Sequence, residues 1–186
     1  MTEFTIHTAD SAPEGSRESL AALERAIGFI PNLAGTIAGS PTAMQSFVAM
    51  QSALRATSEL SPREREAVGI TVSRDNASPY SMAAHSTFAA AASAGDEVLA
   101  ALRAGGEVPD LRLQALAAFT RALVRERGHV GDDELAAFER AGYTARQALD
   151  VIAQVAYTTL ANLVANLADT PVDDAFAAQA WHPVLA

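Results

Sequence analysis

Apolar residues recur along this chain every three to four positions, and no stretch shows the β-branched alternation of a strand, so the pattern predicts an all-α protein. The first helix is expected over Ser16–Ile27, with Leu20, Leu23 and Ile27 on one face and Gly28 just past its end, behind a flexible lead of residues 1–15. A short helix from Asn32 follows Pro31. Ser40-Pro41 opens another, to about Ala56, whose stripe is Met44, Phe47, Val48 and Leu54. Ser61, Pro62 and Glu64 form a capping box with proline at the first helical position, and Asp75-Asn76 ends that helix. Ser78-Pro79 starts the next by the same device, towards Gly95. Shorter helices are expected from Asp96 to Ala104, Asp110 to Arg127 and Asp132 to Ala141. Thr144 and Gln147 form a second capping box that opens the longest helix, to about Ala168, with an apolar face of Leu149, Ile152, Ala156, Leu160, Leu163 and Leu167. Asp150, Gln154, Asn162 and Asn166 interrupt it, so it reads as a core helix and not a membrane span. Residues 16–170 then make the helical domain, and residues 171–186 a tail, carrying Phe176 and Trp181, that packs on the domain or on a neighbouring subunit.

At 186 residues and 49% hydrophobic composition, a single well-cored domain is the expectation. The net charge of −9 and the scattering of only 13 basic residues argue against nucleic-acid or anionic-membrane partners. With no cysteine there is neither a disulfide nor a thiolate metal site. His7, His129 and His182 fall in terminal or loop contexts, no metal-ligand spacing appears, and neither metal nor cofactor is expected. The start of the sequence has no basic, then apolar, leader, which makes the cytoplasm the expected location.

Chemistry concentrates between Ser61 and Ser86. Ser78, Ser81 and His85, at i, i+3 and i+7, share one helix face, the two serines in the first turn, where free N–H groups and the helix dipole favour negative charge. Glu66 comes from the preceding helix. Each has a plainer reading: Ser78 as an N-cap, Ser81 as a first-turn residue, Tyr80 as a packing aromatic, His85 as a core histidine, Glu66 as a solvated charge in R-E-R-E alongside Arg63 and Glu64. Asn162 and Asn166 read as hydrogen-bonding across a helix interface.

The segment N-A-S-P-Y-S-M-A-A-H-S, with Glu66 twelve residues before Ser78, resembles the pattern E-x11-C-x-x-C-x3-H of the AhpD-like alkylhydroperoxidases in the carboxymuconolactone decarboxylase superfamily, with both cysteines replaced by serine. The earlier segment G-F-I-P-N-L is similar to the peroxidase-related subgroup. The resemblance implies an AhpD-like helical bundle, with Ser81 at the place of the peroxide-attacking thiol, Ser78 at that of the resolving thiol, Glu66 and His85 as proton relay and Tyr80 as a substrate-pocket residue. A helix N-terminus and a nearby histidine lower a thiol pKa, which suits that chemistry. Serine cannot form a disulfide, so this chain cannot run a dithiol cycle. A thiol site silenced on purpose and a natural loss of the thiols would look alike.

Three functions follow from the resemblance: a thiol-dependent peroxide-reducing scaffold lacking its thiols; a cysteine-independent acid/base enzyme acting through His85 and Glu66 on a small carboxylated substrate; or a catalytically silent helical oligomer. The expected partners are a small hydroperoxide or other small substrate, a dithiol reductant for a cysteine-containing form, and further copies of the chain. The Arg112–His129 region holds no second S-x-x-S, which leaves one site per chain.

Overall fold

The computed structural model describes residues 3–183. Nine α-helices and one 3-10 helix account for its regular structure, and among the described residues there is no strand. In order they are α1 (Glu14–Ile27), α2 (Asn32–Ile37), α3 (Pro41–Thr57), α4 (Pro62–Asp75), α5 (Pro79–Ala91), α6 (Asp96–Ala104), α7 (Leu111–Arg125), α8 (Asp132–Arg140), α9 (Ala145–Leu167) and the 3-10 helix Asp174–Gln179.

The local signals act as the sequence leads one to expect. Both capping boxes form: Ser61 and Glu64 bond reciprocally, as do Thr144 and Gln147. Gly28 ends α1 in the left-handed conformation, φ 86°. At α6 and α8 the N-cap position falls to Gly95 and Gly131, and Asp96 and Asp132 are first-turn residues facing the positive end of the dipole.

Helices α4 and α5 form the centre, with nearly every residue from Ala67 to Ser73 and from Tyr80 to Ser86 buried. One apolar cluster lies on the α6–α8 side, where Phe119, Phe138 and Tyr143 stack with centroids 4.1 and 4.5 Å apart around Val68, Val72, Leu116 and Val151. A second gathers Leu20, Leu33, Ile37, Met44 and Phe47 from α1–α3 against Tyr80, Ala83 and Phe176. α5 serves both, since Met82 and Ala89 face the first cluster and Tyr80 and Ala83 the second.

Three expectations need correction. Glu64 is not a solvated charge: it is buried and accepts hydrogen bonds from Arg112 Nε (3.0 Å), the Tyr143 hydroxyl (2.9 Å) and Ser61 N–H (2.8 Å). Ile27, placed inward by periodicity, is 46% exposed, because α1 lies on the bundle through Ser16, Leu20 and, in part, Leu23. The apolar stripe of α9 also points outward: Leu149, Ile152, Leu163 and Leu167 are exposed, whereas Val151, Gln154, Thr158, Asn162 and Ala165 face the interior. The inward side of α9 is held by polar side chains, Asn162 donating to Ser73 Oγ (3.2 Å) and Asn166 to the Asn76 carbonyl (2.8 Å).

The two ends close on the bundle. From His7 onward the lead expected to be flexible is tied to α2, His7 N–H donating to Gly35 O at 3.0 Å, and Ala12 is buried. The tail packs on its own domain: Phe176 meets Phe29, Tyr80 and Phe88 edge-on, and Arg103 donates to the carbonyls of Gln179 and Ala180.

Candidate active site

Glu66 projects from the second turn of α4 and His85 from the middle of α5, two helices that pack along their length. The carboxylate and imidazole meet, Glu66 Oε2 lying 2.7 Å from His85 Nδ1, with both side chains largely withdrawn from solvent. A carboxylate there fixes the proton on Nδ1 and leaves Nε2 as the nitrogen free to take a proton. The close approach depends on Gly69. A Cβ at that position would sit 2.5 Å from His85 Nδ1, so the missing side chain is the seat of the ring. A lone glycine inside a helix costs about 1 kcal/mol relative to alanine, and Gly69 is the sequence signal that marks this contact.

Ser78 and Ser81 lie at the start of α5, at the N-cap position and in the first turn: both hydroxyls are buried and neither has a partner. Ser78 occupies the N-cap position by backbone geometry (φ −101°, ψ 100°), yet its side chain makes no capping bond. This departs from the expected role, since at Ser40 and Ser61 the same residue type does cap. An unpaired buried hydroxyl costs on the order of 1–3 kcal/mol, whereas a thiol, a weak donor often found fully buried, sits in such a place with little penalty. The two positions are thus shaped for a side chain of serine's outline without its need for hydrogen bonds.

Tyr80 is anchored elsewhere. Its hydroxyl donates to Asp173 Oδ2 (2.5 Å) and accepts from Leu33 N–H (3.3 Å), and burial, with the Asp173 carboxylate, pushes its pKa far above the ordinary phenol value. Its ring borders a cavity of about 430 Å³ with Asn76, Ala77, Pro79, Asn166 and Thr170, at the mouth of α5. A tyrosine committed to Asp173 supports that wall and does not offer a free hydroxyl.

One residue with no signature in the sequence completes the surroundings. Tyr157 of α9 stacks on Phe47 at 4.8 Å and accepts a hydrogen bond from Gln51 Nε2 at 2.9 Å. Burial, with a smaller contribution from the negative charge of Glu66, raises its pKa to about 12. Among the described residues no group of three or more His, Asp or Glu side chains is placed to hold a metal ion.

The arrangement can move a proton: a carboxylate orients an imidazole on the helix whose first turn carries two unpaired hydroxyls. Residues 41–123, which span α3 to α7 and include Glu66, Ser78, Ser81 and His85, match the carboxymuconolactone decarboxylase family. No curated protein matches by sequence. Among solved structures, the AhpD core of an uncharacterized peroxidase-related protein from Ralstonia eutropha JMP134 superposes with a TM-score of 0.83 at 23% identity, over 94% of this chain and 93% of that one. An uncharacterized peroxidase-related protein from Silicibacter sp. TM1040 gives 0.78 at 21%, over 96% and 98%. The debrominase Bmp8, as a cysteine-to-alanine variant in complex with 2,3,4-tribromopyrrole, gives 0.78 at 19%, over 96% of each chain. The segment that holds the four motif positions, residues 41–123, thus matches the carboxymuconolactone decarboxylase family, with serine at both cysteine positions of the motif, and over nearly its whole length the chain has the helical AhpD-like fold.

Proposed function

We propose that the site is that of a thiol-dependent peroxide reductase whose proton relay is intact and whose two sulfurs are replaced by Ser78 and Ser81. The observation that carries this reading is the pair of buried, unpaired hydroxyls on the helix that presents His85 to Glu66. With thiols restored, a thiolate at position 81 attacks the terminal oxygen of a hydroperoxide, the O–O bond breaks, and the relay supplies the proton that lets the alcohol leave. The resulting sulfenic acid is met by the thiol at position 78, which expels water and closes a disulfide. A dithiol reductant returns the two electrons.

The test is the S78C/S81C variant, assayed for loss of an organic hydroperoxide with a dithiol reductant. Turnover, with the disulfide seen by mass, is the expected result. Adding Glu66→Gln or His85→Gln should then lower the rate by about 10²–10⁴-fold, the usual worth of positioned acid/base groups. A reactive thiol without peroxide turnover would refute the proposal. Two of the similar folds are named peroxidase-related and a third a debrominase, so the fold alone does not choose the substrate.

A second reading is favoured by the relay being assembled in a chain that has no sulfur nucleophile. In this serine form Glu66 and His85 act alone, moving a proton on a small carboxylated substrate. Activity of the unaltered chain that vanishes in His85→Gln supports it; activity indifferent to that change removes it.

A further inference from the structure

The cavity at the mouth of α5 is walled by residues other than the motif four: Glu66, Ser78, Ser81 and His85 do not line it. Its volume, about 430 Å³, falls in the range of roughly 300–1,000 Å³ that small organic ligands occupy. The protein's own hydrogen bonds sort the polar groups of its wall. Asn76 directs its amide nitrogen to Asn162 Oδ1 (3.0 Å), and Asn166 directs its own to the Asn76 carbonyl (2.8 Å). Both nitrogens are thereby turned into the protein, and the two Oδ1 atoms are left without a partner among the described residues. The Tyr80 hydroxyl is likewise committed, to Asp173.

Asp169, just past the end of α9, is exposed and has no ion-pair partner among the described residues. Thr170, also in the wall, is 8% exposed, and its buried hydroxyl has no partner. Such a group is destabilising unless a ligand serves it. No Lys, Arg or His is among the described residues that line the cavity. The wall therefore offers acceptors and one carboxylate, and the rest of it is the ring of Tyr80 with Pro79, Pro183 and Ala165.

We infer that this cavity binds a small organic cation, a primary ammonium group on an apolar stem. The ammonium supplies three donors and no acceptor, the complement of Asp169, the two asparagine oxygens and the Thr170 hydroxyl. Its stem lies against Tyr80 and the prolines. A neutral ligand of the same outline leaves acceptors unpaired, and an anion meets Asp169. The first turn of α5 acts in the opposite sense, because a helix N-terminus favours negative charge. The carbonyl end of α9 at the same cavity offsets it, and the full charge of Asp169 exceeds the roughly half charge of a helix end. The assignment does not depend on the function proposed for the serine site.

Benzylammonium is the probe, with benzyl alcohol and phenylacetate as its neutral and anionic counterparts. Ligand-detected saturation-transfer NMR of the full chain in an amine-free buffer should show saturable binding of benzylammonium, at least about tenfold tighter than either counterpart. Asp169 has a left-handed backbone, φ 46°, which asparagine adopts as readily. Asp169→Asn should therefore leave the circular dichroism unchanged and weaken benzylammonium by about tenfold or more. Thr170→Val should weaken it as well while raising the thermal midpoint of the free protein, a combination that a merely structural hydroxyl would not give. Absence of saturable benzylammonium binding, equal affinity for benzyl alcohol, tighter binding of phenylacetate, or an affinity indifferent to Asp169→Asn or to Thr170→Val would each overturn the inference.

Discussion

Ser81 is where sequence and structure bear most directly on each other. Its hydroxyl is buried without a partner, and so is that of Ser78, so each position holds a polar group that the surrounding packing does not serve. Replacing Ser81 with alanine or cysteine should therefore raise the free energy of unfolding, by about 1 kcal/mol or more, where an ordinary serine at a helix start would lose stability. Chemical denaturation measures it, and a destabilised Ser81→Cys would show that the hydroxyl has a partner after all. That Ser78, Ser81 and His85 lie together was legible because i, i+3 and i+7 positions share a helix face whatever else the chain does, whereas Glu66, on the preceding helix, was legible only through the family resemblance. That Glu64 and not Glu66 is the more deeply buried carboxylate was not legible. Arg112 and Tyr143, its partners, lie 48 and 79 residues away.

At the scale of the helix, α4 and α5 position the relay as a pair, and Gly69 sets how closely they do so. Gly69→Ala should raise the intrinsic propensity of α4 yet lower stability, and it should cost activity in S78C/S81C to an extent near that of His85→Gln, since the ring must leave its seat to admit a methyl group. Unchanged activity in that variant would mean that His85 is not held against α4. Helix starts were readable from short capping signals, and both boxes form as their residues demand. The face that a helix buries was less readable where apolar content is high all round. For α9 the leucines gave the strongest periodicity, but the interior took the side bearing Gln154, Thr158 and Asn162: Gln154 donates to Thr158 within α9, and Asn162 bonds Ser73 of α4 and Asn76 at its end. Hydrogen bonds between distant helices leave no period in the sequence.

For the molecule as a whole, Glu64 ties α4 to α7 and to the start of α9. Burial alone would raise its pKa, but hydrogen bonds from Ser61, Tyr143 and Arg112 outweigh burial and hold it below the usual carboxylate value. A folded-state pKa below the unfolded one stabilises the protein above the unfolded value of about 4.3, and that contribution is lost as pH falls through the lower, folded value. The thermal midpoint should drop as pH is lowered below about 4, and Glu64→Gln should make that part of the acid profile shallower while lowering stability at neutral pH. A variant with an unaltered acid profile would assign the sensitivity to other carboxylates.

Asp173 has a wider reach than its place in the tail suggests. One carboxylate receives the Tyr80 hydroxyl and the Asn32 backbone N–H, and so fastens the opening of α2 and the first turn of α5 to a segment at the far end of the chain. A proteolytic nick just ahead of it, after Pro171, would untether the serine-bearing turn without altering a single residue of the motif, and a chain so clipped would look mutated when it had merely been cut.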